Sequence, residues 1–199
     1  METIESILEY WFGSNADGAA VAAERSNLWW SRNPAVDDEI RQRFEPSVLK
    51  AASGELNNWA ANPKGLLALI LLTDQFPRNI YRDSPRAFAF DSKAFAWCLQ
   101  GITAGLDLTL RPIERVFFYL PLEHAEFIEH QEQSVILFEE LLKTVDAGQK
   151  SAFESFLDFA VCHRNIIARF GRFPHRNKML GRESTPEELA FLAGPGSSF

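Results

Sequence analysis

Three stretches of this 199-residue chain put ionisable side chains where helical periodicity calls for apolar ones. The first is Asp74-Gln75-Phe76-Pro77-Arg78-Asn79-Ile80-Tyr81-Arg82, which follows the most hydrophobic run of the chain, Leu66 to Leu72. Ionised groups at the end of a buried helix must be paired, because an unpaired buried charge is strongly disfavoured. Arg78 or Arg82 is therefore expected to fold back on the helix C-terminal carbonyls and pair with Asp74. The second stretch is Tyr119-Leu120-Pro121-Leu122-Glu123-His124-Ala125-Glu126. On a helix expected from about Leu122 to Val145, His124 shares a face with Ile128, Gln131, Val135, Phe138 and Leu142, which turns the imidazole and the Gln131 amide inward. Glu123 lies about 100° away around the axis, so Glu123 and His124 cannot grip one metal as an i, i+3 pair does. Glu126 and His130, at i, i+4 on the more polar side, read as a surface pair. The third stretch, Phe159 to Arg182, has no acid but carries Arg164, Arg169, Arg172, Arg176, Lys178 and Arg182, with His163 and His175. His163 falls on the stripe Phe156, Phe159, Ile166, Ile167, Phe170, hence on a face expected to be buried.

Guanidinium groups hold carboxylate and phosphate in bidentate fashion. The favoured reading is a polar cavity for an anionic small molecule or an acidic peptide. Its candidate residues are Asp74, Gln75, Arg78, Asn79, Arg82, His124, Gln131, His163, Arg169, Arg172, His175, Arg176 and Asn177. The alternative is a small enzyme in which His124 or His163 exchanges protons, Glu123 or Asp74 orients it, and arginines stabilise a developing anion. In a third reading the charged groups form an interior network that only fixes helix register. The four histidines show no metal-ligand spacing, and neither a metal nor a cofactor is expected. No Gly-x-Ser-x-Gly elbow, phosphate-binding glycine loop or dinucleotide fingerprint is present. Cys162 adjoins His163, but neighbouring side chains on a helix diverge, so the two are not a dyad.

The elements that position these groups are helical. Ile4, Ile7, Leu8 and Trp11 follow the i, i+3, i+4, i+7 pattern between Thr3 and Gly13. Asn33-Pro34 opens a helix through Phe44, kinked near Pro46 and ended by Gly54. Asn62-Pro63 opens the Leu66–Leu72 helix, apolar on all sides and therefore central. Ser84-Pro85 precedes one carrying Phe88, Phe95, Trp97 and Leu99, stopped near Gly101 or Gly105. Arg111-Pro112 starts another, ending around Leu120-Pro121. Two long helices follow, about Leu122 to Val145 and Gln149 to Phe170, and Thr185-Pro186-Glu187-Glu188 is a capping box for a last one. No stretch alternates with period two. The expectation is an all-α fold of eight or nine antiparallel helices in one domain, residues 1–199, with 194–199 as a loose tail.

Composition narrows the partners. A formal net charge of −7 sets the molecule against nucleic acid and anionic membrane. The acidic start Met1-Glu2-Thr3-Ile4-Glu5 does not read as an export signal, and no apolar run approaches the roughly 20 residues of a membrane span. Cys98 and Cys162 read as buried, reduced thiols, which points to a cytoplasmic protein.

Several segments together resemble a bacterial family catalogued as domain of unknown function 924. They are Tyr10-Trp11-Phe12-Gly13; Leu71-Leu72-Thr73-Asp74-Gln75-Phe76-Pro77-Arg78-Asn79; Ala87-Phe88-Ala89-Phe90-Asp91; Tyr119 to Glu126; Gln133-Ser134; and Arg169-Phe170-Gly171-Arg172-Phe173-Pro174-His175-Arg176-Asn177 on through Gly181-Arg182-Glu183-Ser184-Thr185. The resemblance implies an all-α, tetratricopeptide-like superhelix and supplies no activity.

Overall fold

Capping chemistry sets most helix boundaries in the computed structural model, which describes residues 2–197. The expected loose tail at 194–199 thus falls partly outside the described residues. α1 (Ile4–Phe12) begins with a reciprocal capping box between Thr3 and Ser6. α2 (Gly18–Trp30) starts on the Asp17 carboxylate. α3 (Pro34–Ser53) and α4 (Pro63–Ile70) each open on an asparagine N-cap followed by proline, and α3 closes on Gly54 in the left-handed region at φ 89°. α4 runs through a π-turn, Leu71–Gln75, into α5 (Phe76–Ile80). Then come α6 (Asp91–Thr103), α7 (Pro112–Glu123), α8 (Ile128–Thr144), α9 (Lys150–Phe170) and α10 (Pro186–Leu192). The described residues contain no strand, and with α4 and α5 joined they form nine helical rods.

One hydrophobic cluster extends from α1 to α9, with the α4–α5 rod and α7 at its centre. Every residue from Leu66 to Leu72 is fully buried, as an all-round apolar helix requires. α1, α6 and α7 pack on α4, α3 packs on α5, and α8 lies between α7 and α9. Close approach demands glycine at two points. A Cβ on Gly65 would meet the Trp59 carbonyl, and one on Gly101 would meet the Phe118 ring between α6 and α7. A smaller cluster of Ile166, Ile167 and Phe173 seats the segment that follows α9. No helix among the described residues is long and apolar enough to cross a membrane.

The structure corrects four expectations. α2 has no counterpart in the sequence reading, because it buries only Gly18, Val21 and Trp29 and so shows no apolar stripe. The helix expected from Leu122 to Val145 is two: α7 runs past Pro121 to Glu123, and the chain breaks before α8 restarts at Ile128. The buried Gln131 amide makes that break tolerable by donating to the carbonyls of Glu123 and Ala125 at 2.6 and 2.7 Å. Phe159, placed on the buried stripe of α9, is 56% exposed. Cys98 is buried as expected, but Cys162 is exposed.

Candidate functional site

The site begins with the π-turn. The Phe76 N–H reaches the Leu71 carbonyl instead of the Leu72 carbonyl, an i to i+5 bond. Pro77 explains the widening: its ring would clash with the Thr73 carbonyl in a regular helix and it has no N–H to give. All five residues of the turn are buried, as Gly65 to Ile70 of α4 are before it, and the polar Thr73, Asp74 and Gln75 are among them. The Asp74 carboxylate is fully enclosed and held by three donors: His124 Nδ1 at 2.7 Å, Gln75 Nε2 at 2.5 Å and Arg78 Nη1 at 3.2 Å.

His124 is the C-cap of α7, not a residue of α8, and reaches Asp74 from the break between them. With its Nδ1–H committed to the carboxylate, its Nε2 is left with the lone pair. Its side chain is 13% exposed. Beside it, His163 of α9 has Nδ1 2.8 Å from the Phe159 carbonyl and 3.0 Å from Glu123 Oε1. The two imidazole centroids are 6.3 Å apart. Two imidazole–carboxyl pairs, built from the π-turn, the end of α7 and α9, therefore stand side by side.

Arginines and one further acid close the cluster. Arg78 extends from Asp74 to Asp91 at the start of α6, touching both Asp91 oxygens at 3.1 Å. Arg176 comes from the turn Pro174–Arg176 and donates to the His124 carbonyl at 3.1 Å. Its nearest carboxylate is the same Asp91, at 3.7 Å, and its buried Nε has no hydrogen-bond partner. Both guanidiniums lie against Phe88, with carbons 5.7 and 4.9 Å from the ring centroid, and Arg176 also covers Phe173.

Burial and this crowding set the protonation states. Burial pushes the Asp74 carboxyl up, but Arg78, His124 and the bonds from His124 and Gln75 outweigh it and hold it well below the usual carboxylate range. Glu123 goes the other way: burial, with the Asp74 charge nearby, raises it to about 8, so it keeps its proton at neutral pH. Burial lowers His163 to about 3 and His175 to about 4, with further repulsion from His124 and Arg176 respectively. His124 is lowered by burial and by Arg78 against the pull of Asp74. Burial and the charge of Arg78 bring Arg176 down to about 10. At neutral pH the cluster thus holds two guanidiniums, the carboxylates of Asp74 and Asp91, and four neutral acid–base groups.

The remaining candidates lie elsewhere. Arg82 and Asn79 both serve Asp37 of α3, Arg82 with two bonds of 2.7 Å, so of the two arginines expected for Asp74 it is Arg78 that pairs with it. Arg172 takes both oxygens of Glu188, at 2.6 and 2.8 Å, and Asn177 joins them. Arg169 pairs with Glu187 on the surface. Glu126 does not pair with His130: it binds Arg182 through both oxygens and accepts the Phe173 N–H, while His130 lies 4.6 Å from the Phe95 ring. The acid-free segment is thereby neutralised largely by acids distant in sequence. Asp91 was missed as a site residue: the sequence reading ran one helix from Ser84-Pro85 through Phe88 and Phe95, whereas Pro85–Phe88 is a separate turn and Asp91 opens α6. Two surface hollows of about 250 and 370 Å³ lie away from the cluster, lined by Glu2, Arg43 and Lys50 in one and by Asn62, Lys64 and Arg111 in the other. Among the described residues no group of His, Cys, Asp and Glu is arranged to hold a metal ion.

The fold and cluster define a class: an all-helical protein with paired imidazole–carboxyl groups and two guanidiniums gathered from five segments of the chain. Residues 7–196 match the model of a family described as bacterial protein of unknown function (DUF924), and the chain belongs to that family. It is similar to the solved structure of a protein of unknown function from Agrobacterium tumefaciens, at 38% identity and a TM-score of 0.74, over 88% of this chain and 98% of that one. No curated protein matches the chain.

Proposed function

We propose that the cluster is a binding site for a small anion, a carboxylate or phosphate, taken at its partly open edge by Arg78 and Arg176 beside His124. The observation that carries this reading is the state of Arg176. Two guanidiniums share the Asp91 carboxylate, Arg78 occupies both its oxygens, and Arg176 keeps an unsatisfied Nε. A buried donor left unmade carries a penalty that an incoming anion would remove. Oxygens of a carboxylate or phosphate match the guanidinium fork. The acidic-peptide version has less support, because Arg169, Arg172 and Arg182, which would have read a longer acidic segment, are engaged with Glu187, Glu188 and Glu126.

A thermal-shift series tests this, since a ligand of the folded state raises the melting temperature by mass action. Sulfate, phosphate, small dicarboxylates and an acidic peptide are the probes. The expected result is stabilisation by the small anions, lost in Arg176→Met and kept in Arg172→Gln. No stabilisation by any of them, or stabilisation indifferent to Arg176→Met, overturns the proposal.

The 2.7 Å contact between Asp74 and His124 favours a second reading, in which His124 is a general base acting on the bound anion. Asp74 would be its positioning residue. Loss of turnover in His124→Gln with anion binding intact is the distinguishing result.

A further inference from the structure

The groups facing His124 come from every element packed around it. The α4–α5 rod contributes Asp74 and Arg78, α6 contributes Asp91, and α7 contributes Glu123. α9 brings His163, and the turn after it brings His175 and Arg176, with Glu126 acting on both. The charges in this set balance without a ligand: Arg78 and Arg176 face the carboxylates of Asp74 and Asp91, Glu126 is matched by Arg182, and the other groups are neutral. An anion entering at Arg78 and Arg176 upsets that balance. It brings negative charge next to Asp74 and Asp91 in a buried place where charge is weakly screened.

One group is placed to restore it. His124 already gives its Nδ1–H to Asp74, and its own carbonyl receives Arg176. A proton on its Nε2 makes an imidazolium that has Asp74 on one side and the bound anion on the other. His163 is less suited, since its Nδ1–H points to the Phe159 carbonyl and Glu123, the carboxyl that stays protonated. Resting on the anion-site reading, we propose that uptake of the anion is coupled to uptake of a proton by His124, so that binding tightens as the pH falls. Linkage makes the coupling reciprocal: the anion raises the proton affinity of His124 by the factor by which the proton raises the affinity for the anion.

Sulfate is a suitable probe because it does not itself titrate near neutrality. Its binding heat is measured by calorimetry at one pH near 6, in two buffers of different ionisation enthalpy. The expected result is a buffer-dependent heat equivalent to the uptake of about one proton per sulfate. His124→Asn, which keeps a donor for Asp74, is expected to bind sulfate with most of that uptake gone, whereas His163→Asn retains it. In the wild-type protein the His124 ring resonance is expected to titrate at higher pH with sulfate than without, a readout independent of how any variant folds. Sulfate binding with a heat indifferent to buffer overturns the coupling and leaves the anion site standing, as does proton uptake that survives in His124→Asn for its assignment to His124. Absence of any sulfate binding overturns the anion site itself.

Discussion

Two neighbouring regions of this molecule handle buried charge in opposite ways. In the C-terminal clamp each charge has a dedicated counter-ion. Arg172 grips Glu188, Glu188 also takes the Thr185 N–H and the Asn177 amide, and Arg182 grips Glu126. In the cluster around Asp74, two arginines share Asp91, one acid is protonated, and three imidazoles are held neutral. The clamp ties the segment after α9 back onto the break between α7 and α8 and onto α10, and its interactions are complete in themselves. The cluster is left with an unsatisfied donor and several groups whose protonation responds to a neighbour. The first is the pattern of a structural device and the second is the pattern on which the proposed anion site rests, although both arise from the same residue types.

Breaking the comparison at its most buried point gives the largest effect. Asp74→Asn leaves Arg78 without its enclosed counter-ion, and the expected loss is about 3 to 5 kcal/mol, read by urea denaturation. Glu126→Gln in the clamp keeps an acceptor for the Phe173 N–H but uncouples Arg182. About 1 to 2 kcal/mol is expected there.

The pH profile sharpens the contrast further. Stability rises with pH wherever the unfolded chain binds more protons. His163 and His175 stay neutral in the fold down to about 3 and about 4, while unfolded imidazoles take a proton near 6.5. Their share of the stability therefore falls as pH drops below 6.5. Glu123 keeps its proton in the fold up to about 8, while the unfolded carboxyl loses it near 4.5, so its share falls as pH rises between those values. Two imidazoles outweigh one carboxyl on the acid side, and above 6.5 Glu123 acts alone. The melting temperature is expected to peak near pH 6.5 and to decline on both sides. Below about pH 4.5, where Glu123 is protonated in the folded and the unfolded chain alike, Glu123→Gln is the smallest change, no more than about 1 kcal/mol. Above that pH it is expected to stabilise increasingly, because Gln has no proton to lose on unfolding. Its signature is a flattened alkaline limb. An unchanged limb would show that Glu123 is ionised in the fold.

Much of the scaffold was legible because helix starts are local chemistry. Asn33-Pro34, Asn62-Pro63 and Thr185-Pro186 each carry their own cap, and each opens a helix where expected. The break between α7 and α8 was not, since it has no glycine or proline of its own. A glutamine one turn into the next helix satisfies its carbonyls. For the site, the anomaly was readable and the partners were not. Asp74, His124, His163 and Arg176 stood out as polar groups near apolar faces, and Arg78 does return to Asp74. Which arginines are already spoken for depends on Asp37, Glu126, Glu187 and Glu188, and the pairing of distant charges leaves no periodic trace. The inward turn of His124 came out right for a different reason, since it caps α7 and reaches Asp74 from there.

The most direct test of the account follows the side-chain Nε–H signals of individual arginines in a nitrogen–proton correlation spectrum as sulfate is added. The account predicts that the Arg176 signal moves and saturates, with the Arg172 and Arg182 signals fixed. A shift confined to Arg172 and Arg182, or no saturable shift at all, would contradict it.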